Sequence, residues 1–320
     1  MSRKIRNTAI LAKLETTYGV DAEPTGSADA VLVSDLSITP FEAQNVDRAL
    51  IRPFFGGSEQ LVGTKQVNCS FSIELAGSGT SGTAPQWGDL LQACAFGEAS
   101  LTSPARNEYS PVTNGLKSLT VYWYDDGVLH KLLGAMGTVT ISANVGERPM
   151  LQFQFTGLYG GVTAAANPSV TLSTWKTPPV MTMANVVDVT LGATYAAGAL
   201  TGGTEYASTG LSIDVANQVA FTPLLSTEFV DITDRAMTGS TQLRLSASEE
   251  AAFYASIETN AVQSLAITIG TAAGNQIVLF APSVQLLNPS KQDLNGNRMV
   301  GVDLRLVPVA GNDELRIVAL

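Results

Sequence analysis

The sequence predicts a mainly β chain in which one strand-rich unit, flanked by a short helix, is written twice. Three features carry that expectation. Gly, Thr, Ser and Val are abundant, with 29 glycines in 320 residues, a composition that favours turns and strands over long helices. Several short segments alternate apolar and polar residues, the mark of a strand with one buried face. Those segments also recur in order. Leu36-Ser37-Ile38, Cys69–Leu75, a helix, a hairpin from Ser118 and Leu151–Phe155 come first. Leu211-Ser212-Ile213, Ser240–Leu245, a helix, a hairpin from Ser264 and Val302–Leu306 follow.

Residues 1–30 read as an N-terminal arm, in which charge, Gly19, Pro24 and Gly26 surround one apolar patch, Ala9–Leu14. It is either a frayed terminus or a segment that orders on a neighbouring subunit. The first unit spans residues 31–161. Gln66–Leu75 alternates as a strand, and Gly77–Gly82 follows as a flexible loop. Pro85 suits the first turn of a helix through Phe96, whose Trp87, Leu90, Leu91 and Cys94 share one apolar face. Gly97–Gly115 is an extra stretch without a counterpart in the second unit. Asp125-Asp126-Gly127 turns a hairpin between Leu119–Tyr124 and Val128–Leu133.

Residues 162–179 read as a linker, stiffened at its end by Pro178-Pro179. The second unit spans residues 180–320. It opens with a Gly/Ala/Thr loop, Tyr195–Ser208, and a strand over Val215–Phe221. Ser246 and Glu249 have the spacing of a capping box for a helix through Glu258, with Phe253 and Ile257 on one side. After a hairpin over Leu265–Phe280, Asn288–Asn297 reads as a long polar loop with Asn295-Gly296 near its tip.

Apolar residues make up 45% and charged residues 14%, the composition of a packed chain and not of a disordered one. A net charge of −10 argues against gripping phosphate backbones, which requires clustered Lys and Arg. The chain has two cysteines, Cys69 and Cys94, which read as buried free thiols with a bridge as the lesser alternative. No run approaches the ~20 apolar residues of a membrane helix. His130 is the only histidine, which leaves catalytic triads and zinc sites without partners. Asp125-Asp126 fits turn geometry, and Asp231 and Asp234 lack the further oxygen ligands of a calcium loop. Neither catalysis nor a cofactor is expected. Tyr122, Trp123, Tyr124, Tyr159 and Trp175 read as core and interface anchors, with a sugar-binding platform as the alternative.

Leu14-Glu15-Thr16-Thr17-Tyr18-Gly19-Val20-Asp21, followed by Pro24-Thr25 and Val31-Leu32-Val33, resembles the start of major tail tube proteins of long, non-contractile-tailed bacteriophages. The resemblance continues through Phe41-Glu42-Ala43, Val46-Asp47-Arg48 and Trp87-Gly88-Asp89-Leu90-Leu91, and so covers most of the first unit. It implies tandem β-sandwich or half-barrel units, each with a flanking helix. It also implies a virion subunit, made in the host cytoplasm, that stacks in rings around a channel for DNA ejection. A chain with two such units would form a pseudo-sixfold ring from three copies. If only one unit lined the channel, the ring would hold six. Implied partners are copies of the chain, tail terminator, distal tail and tape-measure proteins, and DNA in transit. A virion decoration or glycan-binding module is the competing class.

On that footing, the polar members of strands and turns are candidates for a channel wall: Asp125, Asp126, Glu147, Gln152, Gln154, Gln285, Asp293 and Asp303. Alternation fixes two faces of a strand but not which one lies inside. Leu14 and Tyr18 in the arm, and Val121, Trp123, Ile267 and Ile269 in the hairpins, are candidates for contacts between subunits. Long hairpins with an open edge recruit partner strands.

Overall fold

A computed structural model of the chain describes residues 2–320. The first half supplies β1 (Thr8–Leu14), β2 (Ala30–Val31), β3 (Ser34–Asp47), β4 (Gln60–Glu74), α1 (Gly88–Gln92) and β5 (Phe96–Thr102). It ends with β6 (Ala105–Pro111), β7 (Leu119–Asp125), β8 (Val128–Asn144) and β9 (Met150–Ala164). The second half begins with β10 (Val186–Leu191), β11 (Thr194–Ala196), β12 (Ala199–Thr201), β13 (Thr204–Tyr206), β14 (Ser208–Asp214) and β15 (Asn217–Pro223). It continues with β16 (Glu228–Arg235), β17 (Thr238–Leu243), α2 (Ala247–Glu258), β18 (Val262–Ile269), β19 (Ile277–Leu294), β20 (Asn297–Leu306) and β21 (Arg316–Ala319). The chain is mainly β.

The halves repeat one strand order. Hydrogen-bonded neighbours run β3-β4-β9-β8-β7-β1 in the first, all antiparallel. They run β14-β17-β20-β19-β18-β10 in the second, again all antiparallel. In each half the helix follows the second strand of that order along the chain. Alternation explains the burial. Cys69, Phe71 and Ile73 point into the core, where Phe71 packs 5.9 Å and 5.8 Å from the rings of Phe153 and Phe155. Leu211, Ile213, Val302, Leu304 and Leu306 do the same in the second half. Trp87, Leu90, Leu91 and Cys94 are buried as their spacing demands, and Trp87 Nε1 donates to the Ala76 carbonyl at 2.7 Å. The regular helix, Gly88–Gln92, is shorter than Pro85–Phe96, and Ala95, with a left-handed φ of 61°, turns the chain into β5. The Ser246–Glu249 capping box forms, and both cysteines are buried and free.

Four segments differ from expectation. Thr8–Leu14 is no arm: β1 pairs with β7 on one side and β2 on the other, burying Ile10 and Leu11. Its full-length partner, β7, lies more than a hundred residues along the chain, so nothing local announces it. Strand β9 runs through Gly160 and Gly161 to Ala164, so part of the expected linker is sheet. Asn288–Asn297 is mostly strand, since β19 continues to Leu294 and turns at Asn295-Gly296 into β20. In the Tyr195–Ser208 stretch, β11 and β12 form a small hairpin ahead of β13.

The halves are joined by a strand ladder. β14 pairs with the end of β8, Gly210 opposite Asn144 through Asp214 opposite Thr140. Gly210 has φ +127°, and a Cβ there would lie 2.3 Å from the Ala143 carbonyl, so the close approach requires glycine. Beyond this seam the β15–β16 hairpin lies over β8 and β9. The inserted β5–β6 hairpin reaches the other way, and β6 pairs with β21. The Gly77–Gly82 loop is tied to the second half, with Gly79 N–H donating to the Gly274 carbonyl at 2.8 Å.

Candidate functional site

The seam creates one uninterrupted run of eight antiparallel strands, β3-β4-β9-β8-β14-β17-β20-β19. One face of the run is core. The other is polar, because every strand alternates in the same phase. A single row of facing residues crosses it: Ser34, Ser72, Gln152, Thr140, Asp214, Thr238, Arg305 and Gln285. A second row carries Glu74, Met150, Ser142, Ser212, Ser240, Asp303 and Leu287. Side-chain hydrogen bonds tie neighbouring strands, such as Thr156 Oγ1 to Asn68 Oδ1 at 2.8 Å and Asn288 Nδ2 to Asp303 Oδ2 at 2.9 Å. The face is mostly hydroxyls and amides, interrupted by Met150 and Leu287, with few charges: Glu42, Glu74, Asp214 and Asp303 against Arg305.

Both ends of the run are open. Among the described residues, β3 pairs only with β4, and Ser290–Leu294 of β19 pairs only with β20. An open edge is a row of unmet donors and acceptors, a template for another chain.

The description "phage tail tube protein" belongs to the family model that matches residues 5–307, a span that crosses both repeats and the seam. The chain belongs to this family. No curated protein matches it. The chain is accordingly a structural tail tube subunit, a virion protein of a phage tail that assembles into a tube.

In this tail tube protein the residues expected at a wall divide. Gln152, Gln154, Gln285 and Asp303 lie on the polar face. Asp293 alternates with Gln292 and faces the other way, opposite Arg298. Glu147 sits in the β8–β9 turn. Asp125 and Asp126 are engaged at the N-terminus: Arg3 pairs with Asp125, while the Lys4 amide and Asn7 side chain hold the Asp126 carboxyl below its usual range. Most hydroxyls of the polar face lie outside the expected set, which favours charged and glutamine residues. Their alternation with Cys69, Phe71, Leu211 and Ile213 was the available signal.

The residues expected between subunits are occupied within the chain. Val121 lies between Ala12 and Leu132, and Trp123 between Ile10 and His130. Ile269 lies between Val186 and Ile277, and Ile267 beside it is buried. Leu14 pairs with Leu119. Tyr18 joins the two halves, its hydroxyl accepting from the Val230 N–H at 2.6 Å, and burial pushes its pKa up. The aromatic residues considered as a platform are likewise engaged. Trp123 stacks 4.5 Å from His130, Tyr122 donates to Asp21, and Trp175 Nε1 donates to the Ala30 carbonyl. Burial pushes the pKa of His130 down. Among the described residues, no group of three or more His, Cys, Asp or Glu is placed to hold a metal.

Proposed function

We propose that three copies close each ring of the tube, each contributing its eight-strand run, so that about 24 strands form a barrel with the polar face inward. The observation that carries this is the seam itself. Within the chain, the end of β8 joins β14. By the repeated strand order, Ser290–Leu294 of β19 corresponds to the end of β8, and β3 corresponds to β14. The two open edges are therefore the two sides of the same junction, and copying its register sets Ser290 opposite Thr39 and Gln292 opposite Ser37 of the next copy. Continuity of the run across both halves supports three copies with both units at the wall, over six copies with one.

The wall suits passage of double-stranded DNA without retention. Retention works through counterion release at clustered cations. The row across all eight strands offers Arg305 alone, balanced by Asp214, among hydroxyls and amides. In this reading the units divide near residues 161 and 180, and the tube meets terminator, distal tail and tape-measure proteins after the chain leaves the host cytoplasm.

A cysteine pair tests the junction. The native thiols are inert, since burial pushes Cys69 up to about 12 and Cys94 well above its ordinary value. Facing residues in antiparallel strands have Cβ atoms about 4.5–5.5 Å apart, close enough for a disulfide after small adjustment. Tubes of T39C/S290C protein should cross-link between chains under mild oxidation, and either single variant should not. Assembled tubes of the double variant without cross-links would contradict the junction.

A further inference from the structure

The two halves treat equivalent hairpins differently. In the second half the chain leaves β14, turns at Ala216 and forms the β15–β16 hairpin, which folds back over β8 and β9 of the first half. Of its cross-strand pair Phe221–Val230, Val230 is 1% exposed and Phe221 half-buried, and Asn217 donates to the Cys94 and Gly137 carbonyls. In the first half the ladder of β3 and β4 continues past Thr39 into a hairpin of the same place and phase. Its pair Val46–Leu61 corresponds to Phe221–Val230, yet Val46 is 55% and Leu61 53% exposed. The loop beyond adds Leu50, Ile51, Phe54 and Phe55, all exposed. Uncovered apolar surface on this scale marks an interaction site.

We propose that this hairpin, Gln44–Gly63, docks on the second unit of the next copy, as β15–β16 docks on the first unit within the chain. The proposal rests on the ring described above. There β3 pairs with the neighbour's β19, and a hairpin continuing from β3 is delivered onto the neighbour's β18, β19 and β20. The receiving ground is apolar. Val262 stands opposite Gln285, Val307 N–H donates to the Ser283 carbonyl, and Val309 follows two residues on, so these residues gather at one end of three adjacent strands. Val262 and Val309 are exposed, like the hairpin that would cover them. The contact is not a copy in every bond. Tyr195 follows β10 as Tyr18 follows β1, but its hydroxyl already donates to Glu108 at 2.6 Å. Apolar burial therefore supplies what the Tyr18 hydrogen bond supplies inside the chain.

Two surface variants and one exchange measurement test this. V46D/L61D alters the hairpin and V262D/V309D alters the receiving face. Each should melt as a monomer like the wild type and raise the protein concentration needed for assembly by about tenfold or more, since each buries charge in an apolar contact. In wild-type tubes, amides of Gln44–Gly63 should exchange more slowly than in monomers. Assembly of either variant at the wild-type concentration, or a hairpin that exchanges equally in monomer and tube, overturns the docking while leaving the ring intact. A variant that fails to fold leaves the exchange result on the wild type to decide. Wild-type protein that forms no rings refutes the ring reading and this contact with it.

Discussion

Asn217 reaches from the second half into the first, its Nδ2 donating to two buried carbonyls, Cys94 at 2.8 Å and Gly137 at 3.0 Å. Removing a donor from buried acceptors costs their full desolvation, so N217A should lower stability by about 2 kcal/mol in urea unfolding. Glu108 makes a second bridge, paired with Arg106 on β6 and Arg316 on β21 and accepting from Tyr195. Burial pushes its carboxyl up, but the Tyr195 and Arg106 hydrogen bonds and the Arg316 charge outweigh that and hold it below its usual range. A depressed carboxyl stabilises the fold above its unfolded pKa of about 4.3, and the contribution is lost as the pH falls through its folded value. E108Q should therefore be less stable at pH 7 by about 2–3 kcal/mol and should converge on the wild type in acid. Burial pushes Asp89 and Glu98 the other way, so the wild-type and E108Q melts must be compared at each pH.

At the scale of elements, the sheet assigns each strand its freedom. β7 and β18 have partners on both sides, so V121P or I267P should damage folding itself, by on the order of 3 kcal/mol. Circular dichroism melts check this: a normal melt with lost assembly would mean those strands are held from outside. The core strands were legible because Cys69–Leu75, Leu151–Phe155 and Val302–Leu306 each alternate in a short window. The Ser246 capping box and the Asp126-Gly127 turn were legible for the same local reason. β1 was not, because its seven residues carry little alternation of their own and find their full-length partner only in Leu119–Asp125, more than a hundred residues away. The open edges were not legible either. Which edge of a strand stays unpaired is decided by the whole sheet, and no periodicity records it.

The whole molecule is two copies of one strand order joined by a ladder that leaves matching edges at its ends. In the proposed ring, a chain built this way carries one junction inside itself and would offer the other to its neighbour, so that its own seam would be the template for assembly. The proposed wall follows from the same phase, since the eight strands turn mostly hydroxyls and amides to one side. The most direct test is the rotational symmetry of assembled tubes by cryo-electron microscopy. Threefold rings with eight wall strands from each chain, β19 of one copy beside β3 of the next, are predicted. Sixfold rings in which only one half of each chain reaches the channel would contradict the account.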